Sequence, residues 1–237
     1  MMHNGGTLEA VMTGKQLKGP EAVWRNALLL DLERGVTGGG ETTPWQTDTC
    51  IGNWHYQRSL FENHQYKSAK SVVQMLIDIV SKNGNLMLNI PVRGNGTIDD
   101  DEVKVLQALA EWIGPHGEAI YETRPFVVYG EGPTTTMTAP ASRFGGITDV
   151  RQYTAQDIRY TIKRGTVYAF VMSWPDDGRV VLKSLATGST AFPRAIGKVE
   201  LLGSGPVRFS RDGGGLTVTL PVEKPNDIAY ALKIAPA

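Results

Sequence analysis

The chain has 237 residues, 41% of them hydrophobic, enough to bury one large core or two modest ones. Its 24 basic and 24 acidic side chains cancel and no basic tract occurs, so the attraction that drives nucleic-acid binding is missing and no such partner is expected. The single cysteine, Cys50, excludes an internal disulfide framework and a multi-cysteine zinc site, and reads as a small buried apolar residue.

The opening MMHNGGTLEA lacks the charged and apolar regions of a signal peptide, and no apolar stretch is long enough to span a bilayer. No membrane partner is expected, and the compartment stays open. Up to Arg124-Pro125, apolar strand-like runs alternate with helical patterns, the signature of a parallel sheet. Ala27-Leu28-Leu29-Leu30 reads as a strand buried on both faces, whose carboxyl end opens into Asp31-Leu32-Glu33-Arg34-Gly35. Ser68 can cap a helix with Val72, Val73, Leu76, Ile77 and Val80 on one face, ended by Asn83-Gly84. Leu86-Met87-Leu88-Asn89-Ile90 is the next strand. After a turn at Gly94-Asn95-Gly96, the acidic run Asp99 to Glu102 starts a helix with Val103, Leu106, Ala110 and Ile113 on its inner stripe.

Beyond Pro125 the pattern changes to short β-rich runs separated by Gly, Pro and Asp turns, at 159–162, 166–172, 180–182, 198–202, 207–209, 216–220 and 228–232. Their spacing predicts an antiparallel sandwich, with hairpin turns at Asp176-Asp177-Gly178 and Asp212-Gly213-Gly214-Gly215. Two domains are expected, 1–125 and 126–237.

Three stretches hold more polar and aromatic residues than packing needs. Glu33 and Arg34 stand at a strand end, where they either face a substrate or pair with other loops. Pro44-Trp45-Gln46-Thr47-Asp48-Thr49 and Gly52-Asn53-Trp54-His55-Tyr56 mix rings that stack on sugars with groups that bond hydroxyls, which suits a carbohydrate cleft or ordinary packing. Asn89, polar within an apolar strand, needs hydrogen-bond partners from backbone or a neighbouring loop. His55 has no partner histidine at metal-ligand spacing, and no GxSxG or HExxH motif occurs.

The stretches Leu32 to Gly35, Pro44 to Tyr56, Val80 to Pro91 and Gly117 to Pro125, in that order, resemble the family 29 α-L-fucosidases over about residues 7–130. The remainder is similar to that family's C-terminal domain in length and pattern. The resemblance implies a fold of α/β plus all-β type: the C-terminal part of a (β/α)8-type barrel followed by an antiparallel β-sandwich. It implies a retaining exo-glycosidase that releases terminal α-L-fucose from oligosaccharides or glycoconjugates with two carboxyl groups and without metal or cofactor. It maps the general acid/base to Glu33, with Glu41 in reserve, and substrate contacts to Arg34, Trp45, Gln46 and Trp54. Many family members carry glutamate where this chain has Gln46, which cannot donate a carboxyl proton, and that departure is what favours Glu33. The family nucleophile belongs to an earlier strand, so the chain alone is expected to be an inactive piece of a glycoside hydrolase. Two other readings stay open: a non-catalytic carbohydrate-binding protein using the sandwich, and a structural subunit completing a barrel. Half a barrel leaves two unpaired edges and a bare apolar face, which makes a homo-oligomer an expectation too.

Overall fold

The computed structural model describes residues 2–4, 29–136 and 152–237. Residues 27 and 28 of the first predicted strand, and residues 7–28 of the resemblance, lie outside the described residues. Four parallel strands form one sheet in chain order: β1 (Met2–Asn4), β2 (Leu29–Glu33), β3 (Trp45–Cys50) and β4 (Gly84–Asn89). The helices are a short α1 (Arg58–Glu62), α2 (Ala69–Ser81) and α3 (Asp100–His116).

Side chains on β2 to β4 alternate across the sheet. Leu30, Leu32, Trp45 and Leu86 pack with Met75 and Ile79 of α2, so this side is apolar. In-register neighbours put Asp31 beside Gln46 and Glu33 beside Asp48 on the other side. Strand β2 is therefore not apolar on both faces as expected: among the described residues this side carries carboxylates and amides, with Met87 47% exposed among them. Gly84 fits because a Cβ there would lie 2.6 Å from the Trp45 ring.

Seven strands of the two carboxyl-terminal sheets overlap the predicted runs, whereas Arg124–Glu131 and Gly205–Pro206 are strands the pattern did not indicate. The first holds β5 (Arg124–Glu131), β6 (Ile158–Lys163), β7 (Thr166–Val171), β9 (Ile196–Leu201), β10 (Gly205–Pro206) and β13 (Tyr230–Pro236), in the order β10-β9-β13-β7-β6-β5. The second holds β8 (Arg179–Leu182), β11 (Arg208–Asp212) and β12 (Gly215–Thr219), in the order β11-β12-β8. All pairs in both are antiparallel. Asp212 closes the β11–β12 hairpin, its Oδ1 accepting from the backbone N–H groups of Gly214 and Gly215 at 2.7 and 3.2 Å. Asp176-Asp177-Gly178 is not a hairpin turn as expected: it carries the chain from one sheet to the other, because β8 pairs with β12 and not with β7.

Strand β7 is buried on both sides. Val167, Ala169 and Val171 face the smaller sheet, together with Tyr230, Leu232 and Ile234 of β13. Tyr168 and Phe170 face the helices, where Val72, Val73, Ile77 and Trp112 meet them. The molecule is thus layered as parallel sheet, helices, larger antiparallel sheet and smaller antiparallel sheet. Helix α2, capped by the Ser68 hydroxyl accepting from Ser71 N–H at 3.1 Å, is covered on two sides and carries apolar residues nearly all round. Two of its buried polar side chains bridge to other elements: Gln74 Nε2 donates to Met172 O at 2.7 Å, and Asp78 receives Lys82 Nζ at 2.7 Å and Arg159 Nε at 2.6 Å. Burial pushes the Asp78 carboxyl up, but the two cations outweigh it and hold it below the usual carboxylate range.

Helix α3 begins with a reciprocal cap between Asp99 and Glu102. Its inward face runs through Glu102, Leu109, Trp112 and His116, and Ala110, expected inside, points to solvent. Trp112 Nε1 donates to Ala229 O in the sandwich at 2.9 Å. His116 stacks on Trp112 with centroids 4.5 Å apart and donates from Nδ1 to Trp112 O at 2.7 Å, which leaves a buried Nε2 with no partner.

Replacing Asp78 by alanine strands two buried cations, and urea unfolding should report a loss of about 3–5 kcal/mol. Burial lowers the His116 pKa, against the bond to Trp112 O. The unfolded state therefore binds this proton more readily, so the contribution is complete above the unfolded value near 6.5 and is lost as pH falls below it. Thermal melts between pH 7.5 and 5 should show that decline, flattened in His116→Phe.

Candidate active site

Parallel, in-register pairing brings the carboxyl ends of β2, β3 and β4 to one edge of the sheet. Glu33 and Asp48 are neighbours there, and one step on Cys50 lies beside Asn89. The loop after β3 folds back over this edge and is pinned by backbone and side chain: Lys67 N–H donates to Ile51 O at 2.7 Å, and Asn89 Nδ2 to Trp54 O at 3.2 Å. Asn89 thus finds its partner in a neighbouring loop, one of the two sources its position in the strand allowed.

That loop delivers Trp54 to Glu33, with indole Nε1 donating to Glu33 Oε1 at 2.8 Å. Arg34 sits at φ 51, a left-handed conformation uncommon outside glycine; its N–H donates to Asp48 O at 2.9 Å. The turn aims its guanidinium over the Trp54 ring, 5.3 Å from the centroid, and Nη2 donates to Asn53 Oδ1 at 3.1 Å and Cys50 Sγ at 3.2 Å. Glu33, Arg34 and Trp54, distant in sequence, form one cluster: a carboxylate with one oxygen oriented by a neutral donor, beside a cation and an indole.

Gln46 lies two residues deeper, roughly 7 Å below the rim, and donates from Nε2 to Asp31 Oδ1 at 3.2 Å. Burial pushes the Asp48 carboxyl up, and the charges of Asp31 and Glu33 add to the effect. Three acidic side chains therefore share this face. Asp48 lies within the conspicuous polar stretch, and the alternation Gln46, Asp48, Cys50 on one side of β3 is the signal that marks it.

Two expected site residues are elsewhere. Trp45 is 1% exposed and lies on the helix side of the sheet, its Nε1 donating to Lys82 O at 2.9 Å, because odd positions of β3 face α2. Glu41 is held at the amino-terminal end of the sheet by its N–H to Lys82 O at 3.1 Å. Strand β3 starts only at Trp45, three residues before Asp48, so Glu41 lies at least roughly 10 Å from the level of Glu33. A cavity of about 440 Å³ opens at that same far end, between Pro44, Asn85 and Tyr121. Among the described residues no cluster of three or more His, Cys, Asp or Glu side chains is arranged to hold a metal ion, and no helix is long and apolar enough to cross a membrane.

The parallel strands, backed by helices and followed by two packed antiparallel sheets, define the class: the C-terminal part of a (β/α)8-type barrel joined to a β-sandwich. Comparison with known proteins gives the family. The α-L-fucosidase family model matches residues 14–118, and that of the α-L-fucosidase C-terminal domain matches residues 151–235. Human tissue α-L-fucosidase is 28% identical over 198 residues, which cover 80% of this chain and 36% of that protein. Human plasma α-L-fucosidase is 28% identical over 193 residues, 77% of this chain and 35% of that one. The structure of Thermotoga maritima α-fucosidase superposes with a TM-score of 0.63 at 25% identity, over 87% of this chain and 42% of that chain. An α-L-fucosidase isoenzyme from Paenibacillus thiaminolyticus shares the fold, with a TM-score of 0.64 at 21% identity over 88% and 45%. The chain belongs to the glycoside hydrolase family 29 α-L-fucosidases, and it spans little more than a third of the length of the curated relatives it matches.

Gln46→Glu would replace the amide that satisfies Asp31 with a second carboxyl. Loss of that bond should cost about 1–3 kcal/mol at pH 7. Crowded carboxyls bind protons more readily folded than unfolded, so the deficit should shrink as pH falls toward 4, as paired denaturation curves at the two pH values would show.

Proposed function

We propose that this chain contributes the acid/base side of an α-L-fucosidase site acting on terminal α-L-fucose of oligosaccharides or glycoconjugates with retention of configuration. Glu33 is the general acid and base: it protonates the leaving glycosidic oxygen, then takes a proton from the attacking water. Arg34 bonds sugar hydroxyls, Trp54 fixes the Glu33 carboxyl while offering an apolar ring to the pyranose, and Gln46 shapes the pocket floor through Asp31. Attack on the anomeric carbon needs a second carboxylate about 5–5.5 Å from the first, across the sugar.

The observation that carries this reading is the Trp54–Glu33 hydrogen bond, which joins two motifs 21 residues apart into one oriented carboxylate. Sugar binding by the sandwich has less support, since Trp174 packs edge-on against Tyr230 with centroids 4.6 Å apart.

Hydrolysis of a chromogenic aryl α-L-fucoside by the purified chain and by Glu33→Gln tests the assignment. Turnover should fall by about 10²- to 10⁴-fold in the variant. Undiminished turnover would sink the role given to Glu33, whereas a folded chain without turnover would assign the second carboxylate to polypeptide outside this sequence.

A further inference from the structure

The geometry points to Asn53 as a positioning residue: its side-chain oxygen holds the Arg34 guanidinium and the Trp54 turn in one arrangement, preformed before any sugar binds. The use of that arrangement rests on the reading of Arg34 and Trp54 as sugar contacts, whereas the bonds within the protein stand without it.

Asn53 Oδ1 accepts from Arg34 Nη2 at 3.1 Å and from the backbone N–H of Trp54 at 2.9 Å. An amide oxygen offers two lone pairs, and both are used here. Arg34 can only donate, so the oxygen must face it and the amide nitrogen must point away. On that other side Asn53 Nδ2 donates to Gln57 Oε1 at 3.2 Å, and Gln57 Nε2 donates to Ser59 Oγ at 2.9 Å. The cation therefore sets the sense of the whole series of bonds from Arg34 to Ser59. Asn53 is itself exposed, so packing does not hold its side chain and these bonds do.

The arrangement is fixed from two further directions. Arg34 Nη2 also donates to the sulfur of the buried Cys50 at 3.2 Å, and that thiol donates to Gly52 O at 3.2 Å. Both hydrogens of Nη2 are thus committed to the protein, which leaves sugar hydroxyls to Nε and Nη1. Asn89 Nδ2 donates to the backbone carbonyls of Asn53 and Trp54 at 3.4 and 3.2 Å, so β4 anchors the turn whose side chains reach the end of β2. From this turn the indole meets Glu33 Oε1 at 2.8 Å and lies under the guanidinium, 5.3 Å from centroid to Cζ. Loss of the Asn53 oxygen removes a restraint on cation and ring together, and a bond to a charged donor is among the stronger ones to lose.

Nuclear magnetic resonance of the ¹⁵N-labelled full chain reads both ends of the arrangement. In Asn53→Ala the Trp54 indole N–H signal, assigned by Trp54→Phe, should move toward its position in the urea-unfolded chain. The Arg34 guanidinium signals, assigned by Arg34→Lys and recorded in the cold, should broaden through exchange with water. The indole signals of Trp45, Trp112 and Trp174 should stay in place, which reports that the fold is kept. Asn53→Leu serves the same comparison if the alanine variant does not fold. Asn53→Asp keeps an acceptor for both donors but gives up the bond to Gln57, so it should restore the Trp54 and Arg34 signals. Unmoved signals in Asn53→Ala would overturn the proposal, and so would a failure of Asn53→Asp to restore them, since the role would then lie in the Gln57 bond. Added L-fucose should shift the same signals in the unmodified chain. Signals that ignore L-fucose yet answer to the alanine and aspartate variants would remove the sugar-contact reading and keep the positioning role; signals that answer to L-fucose but not to Asn53→Ala would do the reverse.

Discussion

The carboxylate of Asp78 is the constraint on which the arrangement depends. It has no exposed surface and is tied to Lys82, which caps the end of its own helix, and to Arg159 on a strand of the next layer. A buried charge tolerates little displacement, because each lost contact exposes the desolvation cost of the remaining partner. Arg159 extends the constraint by donating from Nη2 to Thr134 Oγ1 at 2.8 Å and from Nη1 to Ile158 O at 3.0 Å, and Lys82 extends it by donating to Thr37 O at 3.0 Å. Helix α2 is therefore fixed to the larger antiparallel sheet on one side and, through Lys82, to the β2–β3 connection on the other.

That connection explains how the candidate cluster forms without a helix between β2 and β3. After Arg34 the chain reverses, Gly35 O accepts from Thr47 Oγ1 at 2.9 Å, and Val36 enters the core beside Leu32 and Trp45. The short path forces β3 alongside β2 in register, and the register aligns Glu33 with Asp48 and Asp31 with Gln46. The arrangement at the rim follows from packing beneath it: Trp45, Leu32 and Leu86 fill the helix side of the strands together with the buried Thr47 and Thr49, so Gln46 and Asp48 are delivered to the opposite face.

Much of this was legible in the sequence. Ser68 and the periodicity behind it located α2 to within a residue, the acidic run from Asp99 marked the start of α3, and the β-rich runs beyond residue 125 traced the sandwich. Local signals sufficed there because caps and alternation are local physics. They failed where burial was decided at long range. The stripe of α3 was read from Ala110, yet its buried members include Glu102 and His116, whose polar character disguises an inward face. Trp45 looked like a sugar platform, but strand parity and the absence of a side chain at Gly84 seat it in the core. The Asp78–Arg159 pair spans 81 residues, a separation at which neither partner carries any sign of the other. Glu33 and Trp54 both stand out in the sequence as candidates, but only the fold of the loop after β3 brings them into contact.

The double burial of β7 has a consequence for the evolution of the chain. A β-sandwich with a wettable outer face can travel between genes as a cassette, but this one presents Tyr168, Phe170, Met172, Ala229 and Ala231 to the helices. Cut loose, it would expose that whole surface to water, and its larger sheet would stick to whatever apolar partner it met. Recombination that moved the sandwich would have to carry α2 and α3 with it, so the boundary between barrel and sandwich, clear in the succession of strands and helices, is not a seam along which the molecule can be divided.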